Sequence, residues 1–136
     1  MKRLISKMLI LVSVGFIFAS CDDKDSGIKS TVFLDLTSWD LPDTTTVNTP
    51  FDLSLNSAIT NTCTHGLSFE ILRADEKKFN VYAQATYENS GEACDVSYIH
   101  CDTTISITHT SVGRYYYFFL YDGAFKKDSI EIIPSK

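Results

Sequence analysis

Arg114-Tyr115-Tyr116-Tyr117-Phe118-Phe119-Leu120-Tyr121 is the stretch whose reading decides the fold. Aromatic residues favour strands, and this run is apolar on both of the faces that a strand presents. That places it inside a sheet rather than at an edge. It closes with Tyr121-Asp122-Gly123-Ala124, a tight-turn signal, because Gly supplies the positive φ that hairpins need. Residues 125–133 are therefore expected to pair back on it.

Working outward, short alternating runs appear throughout residues 30–136, with no convincing helical period. Val32, Leu34 and Leu36 share one face of residues 31–36. Phe51, Leu53 and Leu55 alternate with Asp52 and Ser54, and Leu67, Phe69 and Ile71 with Ser68, Glu70 and Leu72. Phe79, Val81, Ala83 and Ala85 oppose Asn80, Tyr82 and Gln84. Ile105 and Ile107 alternate with Thr104, Ser106 and Thr108, and Ile130 and Ile132 with Ser129, Glu131 and Ile133. The chain thus reads as about seven strands joined by turns, all-β, in an antiparallel β-sandwich. Inner faces should form the core and outer faces should meet water.

The whole chain has 136 residues, with 12 Lys+Arg against 17 Asp+Glu and a formal net charge of -5. Its length fits one domain, and the acidic balance speaks against nucleic acid as a partner, since such binders show a basic face. The first residues carry an address. Met1-Lys2-Arg3 and Lys7 precede an apolar run over residues 9–19, about half the roughly 20 residues that a spanning helix needs. A basic start, a short apolar run and small residues at its end read as a secretory signal.

Phe18-Ala19-Ser20-Cys21 resembles a bacterial lipobox, in which cleavage precedes a cysteine whose sulfur accepts a diacylglyceryl group. The resemblance implies a leader over residues 1–20, lipidation at Cys21, an acidic tether over 21–29 and a domain over 30–136. Asp22, Asp23 and Asp25 resemble the acidic signal that sends Bacteroidota lipoproteins to the cell surface, which implies an outer-membrane, lipid-anchored protein on the cell surface or periplasmic face; in enterobacteria an Asp after the cysteine instead retains a lipoprotein at the inner membrane. Loss of the leader takes Lys2, Arg3 and Lys7 with it, leaving nine basic against 17 acidic residues, a charge of -8. Such a surface is not drawn to anionic lipid by its own charge, so membrane association rests on the acyl chains.

Three cysteines remain after Cys21: Cys63, Cys94 and Cys101. An oxidising compartment makes one disulfide and one leftover thiol the default, with three pairings open. Zinc is a sharper use of Cys63-Thr64-His65 and His100-Cys101. Neither has the Cys-x-x-Cys spacing of structural sites, and neighbours on a strand point to opposite faces. No metal and no cofactor is expected. Nor is there a Gly-x-Ser-x-Gly elbow, a phosphate loop or a His-Glu-x-x-His run, and Asp35, Asp40, Asp43, Asp75 and Glu76 fall at strand ends or turns, where such residues serve the backbone. The expectation is a protein that is not an enzyme.

Gly113-Arg114-Tyr115 resembles the Gly-x-Tyr start of the penultimate strand in immunoglobulin-like domains, where the tyrosine hydroxyl bonds the backbone at a corner. Tyr117 occupies the place of the second cysteine of true immunoglobulin domains, so that bridge is absent. Cys63, Gly91-Glu92-Ala93-Cys94, Gly113-Arg114-Tyr115 and Asp128-Ser129-Ile130 together resemble small immunoglobulin-like lipoproteins of Bacteroidota. That layout implies a Cys63–Cys94 disulfide, whereas Cys94–Cys101 would staple only a local loop. A bridge closing about 30 residues stabilises by on the order of 3 kcal/mol in the chain-entropy model.

Residues 88–102 read as a long loop carrying two cysteines, the candidate recognition loop, with Tyr98 and Tyr87 as its contact residues. Tyr82, Tyr87, Tyr98, Tyr116, Phe118 and Trp39 could form an exposed platform for sugar or peptide, against the plainer expectation that they fill a small core. Asp43-Thr44-Thr45 resembles the Bacteroidota O-glycosylation pattern, and Thr44 falls in an expected linker over residues 41–50. The function expected is a cell-envelope lipoprotein presenting a binding or adhesion module for a glycan, peptide or envelope protein. The alternative is a structural accessory subunit of an envelope complex, marked by a bare apolar sheet edge.

Overall fold

The computed structural model describes residues 27–136; the leader, Cys21 and most of the tether lie outside the described residues. Nine strands and no helix form there: β1 (Ile28–Leu34), β2 (Leu36–Asp40), β3 (Thr44–Thr46), β4 (Pro50–Asn61), β5 (Thr64–Asp75), β6 (Lys78–Asn89), β7 (Val96–Thr108), β8 (Gly113–Tyr121) and β9 (Ala124–Ile133). The larger sheet runs β1-β6-β8-β9-β3, with β5 also on β6, and the smaller runs β2-β4-β7. The two sheets pack face to face as a sandwich.

The core is the alternation read from the sequence. Val81, Ala83, Tyr115, Tyr117, Phe119, Ile130 and Ile132 from the larger sheet meet Leu36, Phe51, Leu53 and Leu55 from the smaller. The stretch at 114–121 is central, flanked by β6 and β9, and Tyr121 pairs with Ala124 across the expected turn. Both turn residues have positive φ, Asp122 at 52° and Gly123 at 69°. That conformation matches the right-handed strand twist and favours Asp-Gly.

Four expectations need correction. The single strand expected over residues 31–36 is two, because the chain changes sheets at Asp35. Its carboxylate accepts the Gly123 N–H at 3.1 Å and its carbonyl accepts the Ser57 hydroxyl at 2.8 Å, which fixes the crossing. The linker over 41–50 contains β3, whose Thr44–Thr46 backbone pairs with Glu131–Ile133; Thr44 is strand-bound, with its side chain exposed. The sandwich is also not purely antiparallel, since β3–β9 and β6–β8 are parallel pairs. A parallel neighbour needs a long crossover, and β7, lying in the other sheet, supplies it between β6 and β8.

The long loop of residues 88–102 contracts to 90–95, because β6 runs on to Asn89 and β7 already begins at Val96. Ladder pairing overrides the polar composition here. His100 pairs with Ala58, and Cys101 with Ser57.

Candidate functional site

The outer face of the larger sheet is where the side chains depart from what a solvated sandwich requires. Register fixes which residues share it. Tyr82 lies opposite Glu70, Asn80 opposite Leu72 and Phe118, Leu120 opposite Phe125, and Phe118 opposite Lys127. Gln84 lies opposite Phe33. Successive rows therefore carry Leu72, Tyr82, Phe118, Leu120, Phe125 and Phe33 on the side away from the core.

Phe33 is 63 % exposed and Phe125 is 51 % exposed, while Tyr82 and Leu120 between them are half-buried. The four line an apolar cleft of about 340 Å³. Phe33 meets Tyr82 edge to face, with ring centroids 5.0 Å apart and planes at 86°, the arrangement that the ring quadrupoles favour. A second cleft of about 310 Å³ shares Phe33 and is lined besides by Leu34, Asp35, Thr37, Ala58, Thr60 and Tyr98. Tyr98, on β7, is 70 % exposed.

Cations frame one end. Among the described residues, Lys29, Lys78 and Arg114 reach Glu88, Asp75 and Glu131, and Arg73 and Lys77 donate to backbone carbonyls. The lysines of β9 end otherwise. Lys127, on the outer face opposite Phe118, sits 5.3 Å from the Tyr116 ring centre, while Lys126, opposite Phe119 on the other face of β9, sits 3.7 Å from that of Tyr121. These are cation–π contacts, which leave the ammonium hydrogens open to an acceptor.

The residues singled out in the sequence distribute unevenly. Cys63 and Cys94 form a disulfide with Cα atoms 5.4 Å apart, and Cys101 is free and partly buried. Tyr87 sits at the staple rather than on a recognition loop: its hydroxyl lies 3.5 Å from Cys94 Sγ and accepts from Asn89 Nδ2 at 3.2 Å. Asn61 Oδ1 accepts both the Cys63 N–H and the Thr64 hydroxyl. Tyr87 belongs to the larger sheet and Tyr98 to the smaller, so the structure does not bring the two into one loop. Of the aromatic set, Trp39 packs as core, stacked on Phe119 at 4.4 Å with its indole N–H donating to Asp128 at 3.0 Å. Tyr82, Tyr116 and Phe118 face outward instead.

Phe33, Leu120 and Phe125 were not among the sequence candidates. The signal was present, since Phe33 is out of phase with Val32, Leu34 and Leu36, and Leu120 belongs to the outward face of the two-sided run.

A third, polar cleft of about 170 Å³ opens beside Arg73, Glu76, Phe79, His109 and Tyr115. His109 is buried, stacks on Tyr115 at 3.7 Å and shares a 2.9 Å hydrogen bond between its Nε2 and the Tyr117 hydroxyl. Burial holds the imidazole below its ordinary range. Burial, and secondarily Tyr115, pushes the Tyr117 phenol far above its own, so the pair is neutral and hydrogen-bonded. Tyr115 donates to the Ser111 carbonyl at 3.1 Å, the corner contact that the Gly-x-Tyr motif implies. Gly113 begins that corner with φ at +120°, a conformation that favours glycine.

His100 and Cys101 are neighbours on β7, with His100 exposed and Cys101 partly buried, and no group of three or more His, Cys, Asp or Glu among the described residues is placed to hold a metal ion. No protein-family model, curated protein or solved structure matches this chain.

Proposed function

We propose that this chain is a lipid-anchored protein of the cell envelope whose immunoglobulin-like sandwich is a non-catalytic binding module, and that its binding face is the outer face of the larger sheet. The observation that carries the reading is the apolar row Tyr82–Leu120–Phe125 with Phe33, which stands exposed where a sandwich normally shows polar residues to water. The lipobox resemblance at Cys21 supports the anchor. The Tyr115–Ser111 contact and the parallel pairing of β3 on β9 support the immunoglobulin-like assignment.

Photo-crosslinking in cells tests the face. Benzoylphenylalanine placed at Phe33 or Phe125 is expected to give a discrete adduct with another envelope component, and at Thr104 on the opposite outer face none. Equal labelling from both faces would overturn the assignment. Non-reducing mass spectrometry of the membrane extract tests the anchor, which predicts a lipidated N-terminal Cys21.

One observation favours the accessory-subunit reading. The long strand β7 borders the smaller sheet with a free edge, and Val96 there is 96 % exposed, a template for an added strand. A crosslink from Val96 and none from Phe33 would select that reading.

A further inference from the structure

Resting on the binding-module reading, we infer that the occupant of the aromatic face is an extended polypeptide segment that places an apolar side chain in the Phe33–Tyr82–Leu120–Phe125 cleft and a carboxylate beside it, against Lys127. Chemistry selects polypeptide over glycan. Of the four residues lining the cleft, only Tyr82 offers a hydroxyl. A sugar ring buried there would strand most of its own hydroxyls without hydrogen-bond partners. Sugar stacking also wants a flat ring face, whereas Phe33 and Tyr82 meet at 86° and make a notch. A notch suits a side chain.

Charge selects the flanking residues. The cations of β1, β5, β6 and β8 are engaged by carboxylates or carbonyls, while Lys126 and Lys127 rest on tyrosine rings. Lys127 shares the outer face with Phe125, two residues away, so a carboxylate next to the inserted side chain completes its hydrogen bonds. The rest of the chain is acidic, so this corner is where an acidic partner approaches without general repulsion. The next row of the same face continues the apolar surface through Leu72 and Phe118, which favours an extended segment over a single inserted residue, because alternate side chains of such a segment reach the same surface.

The test titrates the full chain in detergent, by fluorescence anisotropy, with two dye-labelled peptides, Gly-Glu-Glu-Phe-Ser-Leu-Glu-Glu-Gly and its counterpart with Lys for every Glu. A linear glucan oligosaccharide and phosphatidylglycerol vesicles serve as the other probes. The acidic peptide is expected to bind at least about tenfold tighter than the basic one, and Lys127→Glu to abolish that preference. Phe33→Ser is expected to weaken both peptides with the unfolding midpoint unchanged. Equal binding of the two peptides, lost in Phe33→Ser, overturns the acidic partner but leaves the binding face standing. Binding of the glucan or the vesicles with neither peptide retained, or retention of no probe, overturns the polypeptide assignment itself.

Discussion

The two faces of β8 are built from nearly the same residues and stand in opposite surroundings. Tyr115, Tyr117 and Phe119 point inward and are buried, Tyr117 and Phe119 with 0 % exposure. Tyr116, Phe118 and Leu120 point outward and are half-exposed. The inward set faces Leu36, Leu53 and Leu55 of the smaller sheet across a closed core, whereas among the described residues the outward set has flanking side chains such as Lys127 and Phe125 beside it. An apolar strand face therefore does not by itself announce core. What separates the two is whether a second layer covers it, and that depends on residues far away in the chain.

The comparison breaks first if the inward face does not dominate stability. Phe119→Ala removes a fully buried ring that stacks on Trp39. It is expected to cost about 3–5 kcal/mol, from the lost transfer term plus the cavity left behind. Urea unfolding followed by the Trp39 fluorescence would show it, and a cost below about 1 kcal/mol would mean that β8 is not central.

Tyr117→Phe probes the polar atom on the same inward face. It leaves His109 Nε2 buried without its partner, at a cost of about 1–3 kcal/mol. The histidine also sets a pH dependence. Burial lowers its folded-state pKa below the ordinary 6.5, so the unfolded chain takes up the proton first. Stability is full above that value and falls as pH drops through it towards the folded pKa, below which the loss is complete. Urea midpoints compared at pH 7.5 and 5.5 should show wild type losing more stability than His109→Gln. Equal losses would place the imidazole in water.

How much of this was legible follows from which contacts are local. The hairpin at Asp122-Gly123 and the inward alternation of β4, β6 and β9 depend on neighbours in sequence, and the sequence reading found them. Thr44–Thr46 became a strand only by pairing with residues nearly ninety positions on, which no local pattern encodes. The first half of β7 was hidden because His100, Cys101 and Asp102 read as loop, while β4 holds them in a ladder. The disulfide followed from a family layout rather than from spacing. The exposed aromatic face lay half in view: β8 reads apolar on both sides, but two-sidedness was used to place the strand centrally, whereas its position in the sheet and the cover on its outer face are separate matters.

On the outward side the same kind of substitution is expected to do less. Phe118→Ser loses contacts across the strands with Asn80 and Lys127, roughly 1 kcal/mol on the scale of such pairs. A loss matching that of Phe119→Ala would mean that the outer face is already covered within the folded chain, and the contrast between the two faces would collapse.

Phe33→Ser sharpens the comparison furthest because its effect on stability is the smallest. The ring is mostly exposed and its chief contact is the edge of Tyr82, so the expected change is within about 0.5 kcal/mol. Serine is also the more soluble choice at that site, and the variant should associate less on concentration, since one wall common to both clefts is gone. An aromatic side chain that adds almost nothing to folding yet shapes two adjoining clefts is what the proposed contact requires. If Phe33→Ser instead unfolds the protein, the ring is packed, the clefts are crevices of a stable fold, and the free edge of β7 becomes the surface to pursue.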